Sequence, residues 1–234
     1  MYNIHIFLLL FCSFSLTAQT AGTSYLDDVK LLMTQQWQGN RTVNFVFHGH
    51  SVPSGYFVTP DVRTLQAYPH QVLEKLKRHY PYAVINCIVT AIGGENSEQG
   101  CQRFVNEVLT HRPDVLFIDY ALNDRGIGLE KAKKAWKTMI ETALAKGIKV
   151  ILLTPTPDKS VNILDSTTSL AQHAEQIRDL SRQYRTGLVD SYETFRQLAA
   201  AGVDIENYMS QINHPNEKGH QVVSDLIMGY CTQN

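Results

Sequence analysis

The sequence predicts a single α/β domain, a flavodoxin-like three-layer sandwich with about five parallel strands. Three observations predict it. Short apolar runs alternate with amphipathic segments along the chain, as βαβ units require. The polar residues with chemical potential fall just after the apolar runs, where the carboxyl ends of parallel strands line a crevice. Of the 234 residues, 44% are hydrophobic and 18% charged, a globular composition without internal repeat, low-complexity tract or interior linker.

The elements follow in order. Val43 to Phe47 is the first strand, and Leu65 to His79 a helix with Val72, Leu73 and Leu76 on one face. Ala83 to Val89 is the second strand, Glu98 to His111 a helix, and Val115 to Asp119 the third strand. Leu129 to Lys146 is a long helix, with Ala132, Ala135, Trp136, Met139, Ile140 and Ala143 at helical spacing and Gly147 as its stop. Val150 to Leu153 is the fourth strand, ended by Thr154-Pro155-Thr156-Pro157. Leu170 to Tyr184 is helical, Leu188 to Asp190 a short fifth strand, and Asn216 to Tyr230 a last helix burying Val222, Val223, Leu226 and Ile227.

The first residues read as a targeting segment. Ile6 to Leu16 is apolar but short for a bilayer, and Thr17-Ala18-Gln19 is a small-residue exit suited to cleavage after Ala18. The n-region departs from the usual pattern, with His5 and no Lys or Arg, and Phe11 before Cys12 disfavours a lipid anchor there. The expectation is a signal peptide over 1–18, a domain over 19–234, a secreted or periplasmic location, and no stable membrane insertion once the signal is removed. The formal net charge of −1 supplies no attraction to nucleic acid, and the Lys131 to Lys137 run reads as a solvated helix face. Beyond Cys12, three cysteines remain at 87, 101 and 231, so at most one internal bridge forms; Cys87–Cys101 is one pairing, and Cys87 in an apolar strand also reads as a small core residue. No cysteine spacing suggests zinc.

Four short segments carry the chemistry. Ser51, in His48-Gly49-His50-Ser51, follows the first strand; its hydroxyl needs a base within hydrogen-bond reach to act as a nucleophile. Gly93-Gly94, after the second strand, allows close backbone approach and presents an N–H. Asn123-Asp124 follows the third strand, and an Asn amide aimed at a developing oxyanion contributes roughly 3 kcal/mol. His214-Pro215 opens the final helix, which suits a general base. Each segment alone is an ordinary turn or helix start.

Together and in this order they resemble the blocks of the SGNH (GDSL-like) hydrolase family, over Phe45 to Gly219. The resemblance implies a serine esterase with Ser51 as nucleophile and His214 as base. It implies an oxyanion hole formed by the Ser51 and Gly94 N–H groups and the Asn123 side chain, and neither metal nor organic cofactor. There are departures: His50 stands where the family has Asp, Ala121 where it has Gly, and Gln211 where the triad acid belongs. Without that acid, His214 is oriented by a backbone carbonyl, by Gln211 itself, or by a carboxylate such as Asp190, Asp204 or Glu217. His50, Asn96, Tyr120 and Arg125 are candidates for the substrate pocket. The family's range and a secreted location imply short acyl groups, acetyl above all, on a small-molecule or carbohydrate ester. The alternatives are a lipase or lysophospholipase-type acylhydrolase, a catalytically inactive carbohydrate-binding member, and a metal-dependent hydrolase using His48 and His50.

Overall fold

The computed structural model describes residues 24–232, so the expected signal peptide lies outside the described residues. Five parallel strands form one sheet in the order β2-β1-β3-β4-β5: β1 Thr42–Gly49, β2 Val84–Val89, β3 Val115–Asp119, β4 Lys149–Leu153 and β5 Gly187–Val189. Every residue of β3 is buried, which is why a run of Val, Leu, Phe and Ile without polar alternation forms the middle of the sheet. β2, at the edge, is only half buried.

The period of two along the strands divides the core into two layers. Phe45, Phe47, Phe117, Ile151 and Leu153 face one side, where Phe47 stacks on Phe117 with centroids 4.4 Å apart. They pack against α1 (Asp27–Thr34), α3 (Tyr68–His79), α8 (Ser191–Ala200) and α9 (Glu217–Thr232). Val46, Leu116, Ile118, Val150 and Leu152 face the other side. There they meet the turns after α4 (Ser97–Arg103) and the buried stripe of α6 (Leu129–Leu144); α7 (Ser169–Tyr184) contributes to both layers. Two short helices, α2 (Ser51–Ser54) and α5 (Ala121–Asp124), sit at the carboxyl ends of β1 and β3.

Several elements differ from expectation. The helix expected from Leu65 is a 3-10 turn, Thr64–Gln66, and α3 begins only at Tyr68, because Pro69 lacks the N–H that a continuous helix would use. The segment expected as one helix to His111 is regular only to Arg103, then widens into a π turn over Phe104–Val108 and tightens over Leu109–His111. The last strand is shifted by one residue, the last helix starts one residue later and ends two residues later, and His214 lies in the loop before α9, where Met209 pairs with Pro215. All three described cysteines are free, so Cys87 and Cys101 do not bridge. Among the described residues, no helix is long and apolar enough to cross a membrane.

Candidate active site

The carboxyl end of β1 delivers the candidate nucleophile. Gly49 pairs with Asp119 of β3, and a Cβ at Gly49 would run into the Asp119 carbonyl and the Pro53 ring, so the turn into α2 requires glycine there. His50 caps α2: its Nδ1 accepts the Val52 N–H at 3.2 Å. That fixes the proton on His50 Nε2, which faces the buried Asp119 Oδ1 at 3.4 Å. Asp119 also accepts the Tyr68 hydroxyl at 3.0 Å. His50 is therefore turned into the protein, and its sequence assignment to the substrate pocket is corrected: it is a buried cap beneath the Ser51 turn.

Ser51 Oγ lies 2.9 Å from His214 Nε2, across 163 residues of chain. Both residues are almost fully buried. The loop bearing His214 is held by Ser210, whose N–H and hydroxyl both donate to the His214 carbonyl, at 2.9 and 3.0 Å. On its far side, His214 Nδ1 is 2.9 Å from the Phe57 carbonyl and 2.8 Å from Gln211 Nε2. Phe57 is itself clamped. Its ring stacks on His220 at 5.2 Å, and the Arg63 guanidinium lies over it at 5.1 Å from the centroid. Burial pushes the His214 pKa below the ordinary histidine value; the Phe57 carbonyl opposes this and His50 adds to it.

None of the three carboxylates considered from sequence is a partner of His214. Asp190 is bound to Arg178 Nε at 2.7 Å and caps α8. Asp204 caps the 3-10 turn Ile205–Tyr208, and Glu217 is exposed on the first turn of α9.

The second and third segments meet through a residue not singled out in the sequence. Gly94 has φ +80°, a conformation that favours glycine, in the turn that follows β2. The carbonyl of the next residue, Glu95, accepts Asn123 Nδ2 at 2.9 Å, which ties the glycine turn to α5. The Glu95 carboxylate is buried and bound by Arg103 Nε at 2.7 Å, Arg103 Nη2 at 2.5 Å and the Tyr120 hydroxyl at 2.6 Å. Burial alone would raise the Glu95 pKa, but the Arg103 and Tyr120 hydrogen bonds bring it below the ordinary glutamate value. His48 completes this cluster, with Nδ1 3.0 Å from Thr90 Oγ1 and Nε2 3.2 Å from the Tyr120 hydroxyl. Burial lowers its pKa to about 4. Asp124, fully buried, accepts the Ser97 N–H at 2.8 Å and Trp136 Nε1–H at 2.7 Å, locking α5 to α4 and α6.

The remaining pocket candidates each have partners within the protein. Tyr120 is wholly buried, with its hydroxyl bound to Glu95, so it does not line a surface pocket. Asn96 spends its side-chain oxygen on the capping box of α4, with Gln99. Arg125 is paired with Asp158 Oδ2 at 2.5 Å and donates to the Leu122 carbonyl at 2.9 Å. His48 and His50 each have separate partners, and no cluster of three or more His, Cys, Asp or Glu among the described residues is arranged to hold a metal ion.

The chain matches the GDSL-like Lipase/Acylhydrolase family over residues 47–222. A search of the curated proteins gives no match. Among solved structures, it is similar to a two-domain esterase (CEX) active on acetylated mannans, at 20% identity and TM-score 0.71, covering 91% of this chain and 55% of that one. This chain thus spans about half the length of that protein. It is also similar to Axe2, an acetylxylan esterase from Geobacillus stearothermophilus, at 15% identity and TM-score 0.70, covering 82% of this chain and 95% of that one. Likeness at these identities shows the fold, and the family match covers well over half of the sequence. With the four segments gathered at the carboxyl ends of the strands, this chain belongs to the GDSL-like lipase/acylhydrolase family, the SGNH hydrolases.

Proposed function

We propose that this protein is a secreted serine esterase that removes short acyl groups, acetyl above all, from carbohydrates through an acyl-Ser51 intermediate. The observation that carries the reading is the 2.9 Å contact between Ser51 Oγ and His214 Nε2, with His214 Nδ1 on the Phe57 carbonyl. If Nδ1 carries the proton and donates to Phe57, the Nε2 lone pair faces the Ser51 hydroxyl, as a general base requires. Phe57 then occupies the orienting role that a carboxylate fills in a Ser-His-Asp triad. It favours the productive tautomer without supplying a negative charge to the imidazolium.

The reaction follows in two halves. Ser51 Oγ attacks the ester carbonyl while His214 Nε2 takes its proton. The oxyanion is met by the Ser51 N–H, the Gly94 N–H and Asn123 Nδ2, whose second hydrogen is not needed by Glu95. The C–O bond to the alcohol breaks as His214 returns the proton to the leaving oxygen. Water, deprotonated by the same Nε2, then attacks the acyl carbon, and Ser51 leaves with its proton restored. Because burial depresses the His214 pKa, the imidazole is neutral, and able to accept, at neutral pH.

The carbohydrate assignment is supported by the acetylated-mannan and acetylxylan esterases of the same fold. The secretory reading rests on the apolar run Ile6 to Leu16 and the Ala18 exit. The test is release of p-nitrophenol from p-nitrophenyl acetate, and of acetate from acetylated xylan and mannan, by wild type, Ser51→Ala and His214→Ala. Loss of turnover in both folded variants supports the reading; activity indifferent to both sinks it. N-terminal sequencing of exported protein should begin at Gln19.

A further inference from the structure

We infer that Gln211 is a positioning residue that works against the base: its amide competes with the Phe57 carbonyl for His214 Nδ1 and holds part of the histidine in the tautomer that cannot take a proton from Ser51. The inference rests on the assignment of Ser51 and His214 as the acyl-transfer pair.

The conflict is one of hydrogen-bond counting. Gln211 Oε1 accepts the Thr59 N–H at 2.9 Å, which leaves its NH2 group 2.8 Å from His214 Nδ1 and 3.3 Å from Thr59 Oγ1. An amide nitrogen only donates, so Nδ1 can accept from it only as a lone pair. The imidazole proton then sits on Nε2 and points at Ser51 Oγ, 2.9 Å away, and the base is blocked. The Phe57 carbonyl, 2.9 Å from the same Nδ1, only accepts and demands the opposite tautomer. A neutral imidazole has one proton and cannot satisfy both. Exchanging the amide's oxygen and nitrogen does not help, because the NH2 group would then meet the Thr59 N–H, donor against donor. A carboxylate resolves the conflict from either end, since Thr59 N–H, Thr59 Oγ–H and Nδ1–H can all donate to it. The amide has a second effect. In the transition state the imidazolium carries Nδ1–H, and the positive end of the Gln211 dipole faces it.

The sign of this effect separates it from a supporting role. Gln211→Glu keeps the side-chain length and supplies two acceptors; Gln211→Met keeps the length and removes the competing donor. The expected result is a rise in kcat for p-nitrophenyl acetate of about 10-fold or more for Gln211→Glu, and a smaller rise for Gln211→Met. The acid limb of the pH–rate profile should move up by about one unit in Gln211→Glu alone, because an added negative charge favours the imidazolium. The other titratable groups near His214, namely Tyr56, His50 and His220, and Arg63 over the Phe57 ring, are unchanged in the comparison. In 15N spectra of the imidazoles, wild-type His214 should be a mixture of tautomers and Gln211→Glu predominantly the Nδ1–H form. A fall in kcat for Gln211→Met, or a wild-type His214 already wholly in the Nδ1–H form, overturns the inference. If Gln211→Glu fails to fold, Gln211→Met and the wild-type spectrum still decide. Activity that survives Ser51→Ala would instead overturn the assignment of the pair, which is a distinct outcome.

Discussion

Deleting one buried hydroxyl, in Tyr120→Phe, tests whether the Glu95 cluster supports the glycine turn. The hydroxyl donates to Glu95 Oε2 at 2.6 Å and lies 3.2 Å from His48 Nε2, with no exposure to solvent. A hydrogen bond to a charged group contributes about 1.5–3 kcal/mol. Glu95 keeps two contacts from Arg103, so the loss should fall in the lower half of that range, about 2 kcal/mol. Glu95→Ala removes more, because it leaves Arg103 with only the Thr90 carbonyl, Glu107 and a long contact to the Tyr120 hydroxyl as partners. Breaking a buried pair costs about 3–5 kcal/mol, and the 13% exposure of the Arg103 side chain places this one near the lower end. The double variant should cost less than the sum, by about 1 kcal/mol or more, because both substitutions remove the same hydrogen bond. The assay is urea unfolding of wild type, both single variants and the double. The Glu95 contribution also has a pH signature. Its folded pKa is depressed below 4.5, so its stabilisation is present above that value and is lost as pH falls through the folded pKa. The gap between wild type and Glu95→Ala should therefore narrow in acid. A Tyr120→Phe cost below about 0.5 kcal/mol, or strict additivity, would refute the view of Tyr120, Glu95 and Arg103 as one coupled support.

Three further outcomes are expected. Asn123→Ala should lower kcat for p-nitrophenyl acetate by about 10²–10³-fold, with a much smaller effect on unfolding, since the bond lost is one partly buried contact to the Glu95 carbonyl. The acid limb of kcat/KM should lie below pH 6.5, because burial lowers the His214 pKa and the base is lost only as pH falls through that depressed value; a limb above pH 7 contradicts it. Stability should decline as pH falls from about 6.5 toward 4, because His48 and His220 stay neutral in the fold with pKa values near 4 and 3, while the unfolded chain protonates them. The slope approaches two protons, about 2.7 kcal/mol per pH unit at its limit, and a melting temperature unchanged between pH 7 and 5 would exclude it.

The legible parts of the fold are those where burial on both faces leaves no competing pattern. Val115 to Asp119 is the third strand to the residue, because all five positions are buried. The stripe from Ala132 to Ala143 on α6 is the one the spacing marks. α8 was not legible: it buries Ser191, Tyr192 and Phe195 near its start and leaves the rest partly exposed, too little for a 3.6-residue period to stand out. The helical turn at Ser51 is four residues long, barely one turn, too short for a periodicity to show. Tyr120 is not legible as a core residue, because only the turn out of β3 sends its ring inward against Gly100, where a Cβ would meet the hydroxyl.

Within the site, legibility depends on whether a function needs a particular side chain. The proposed acyl transfer needs an oxygen nucleophile and an imidazole, and Ser51 and His214 stand out in the sequence as candidates for that reason. The orienting acceptor needs only an oxygen in the right place, and any residue supplies one from its backbone. Nothing in the letters Phe57 announces the role proposed for it, which follows from Phe57 being held between His220 and Arg63 with its carbonyl 2.9 Å from Nδ1. Gln211 is the converse case. Its departure from an acid was visible at once, but its consequence depends on Thr59, 152 residues away, whose N–H fixes which end of the amide faces the histidine. A change from carboxylate to amide therefore does more than delete a charge: with one acceptor already anchored, it reverses the polarity of the contact at Nδ1.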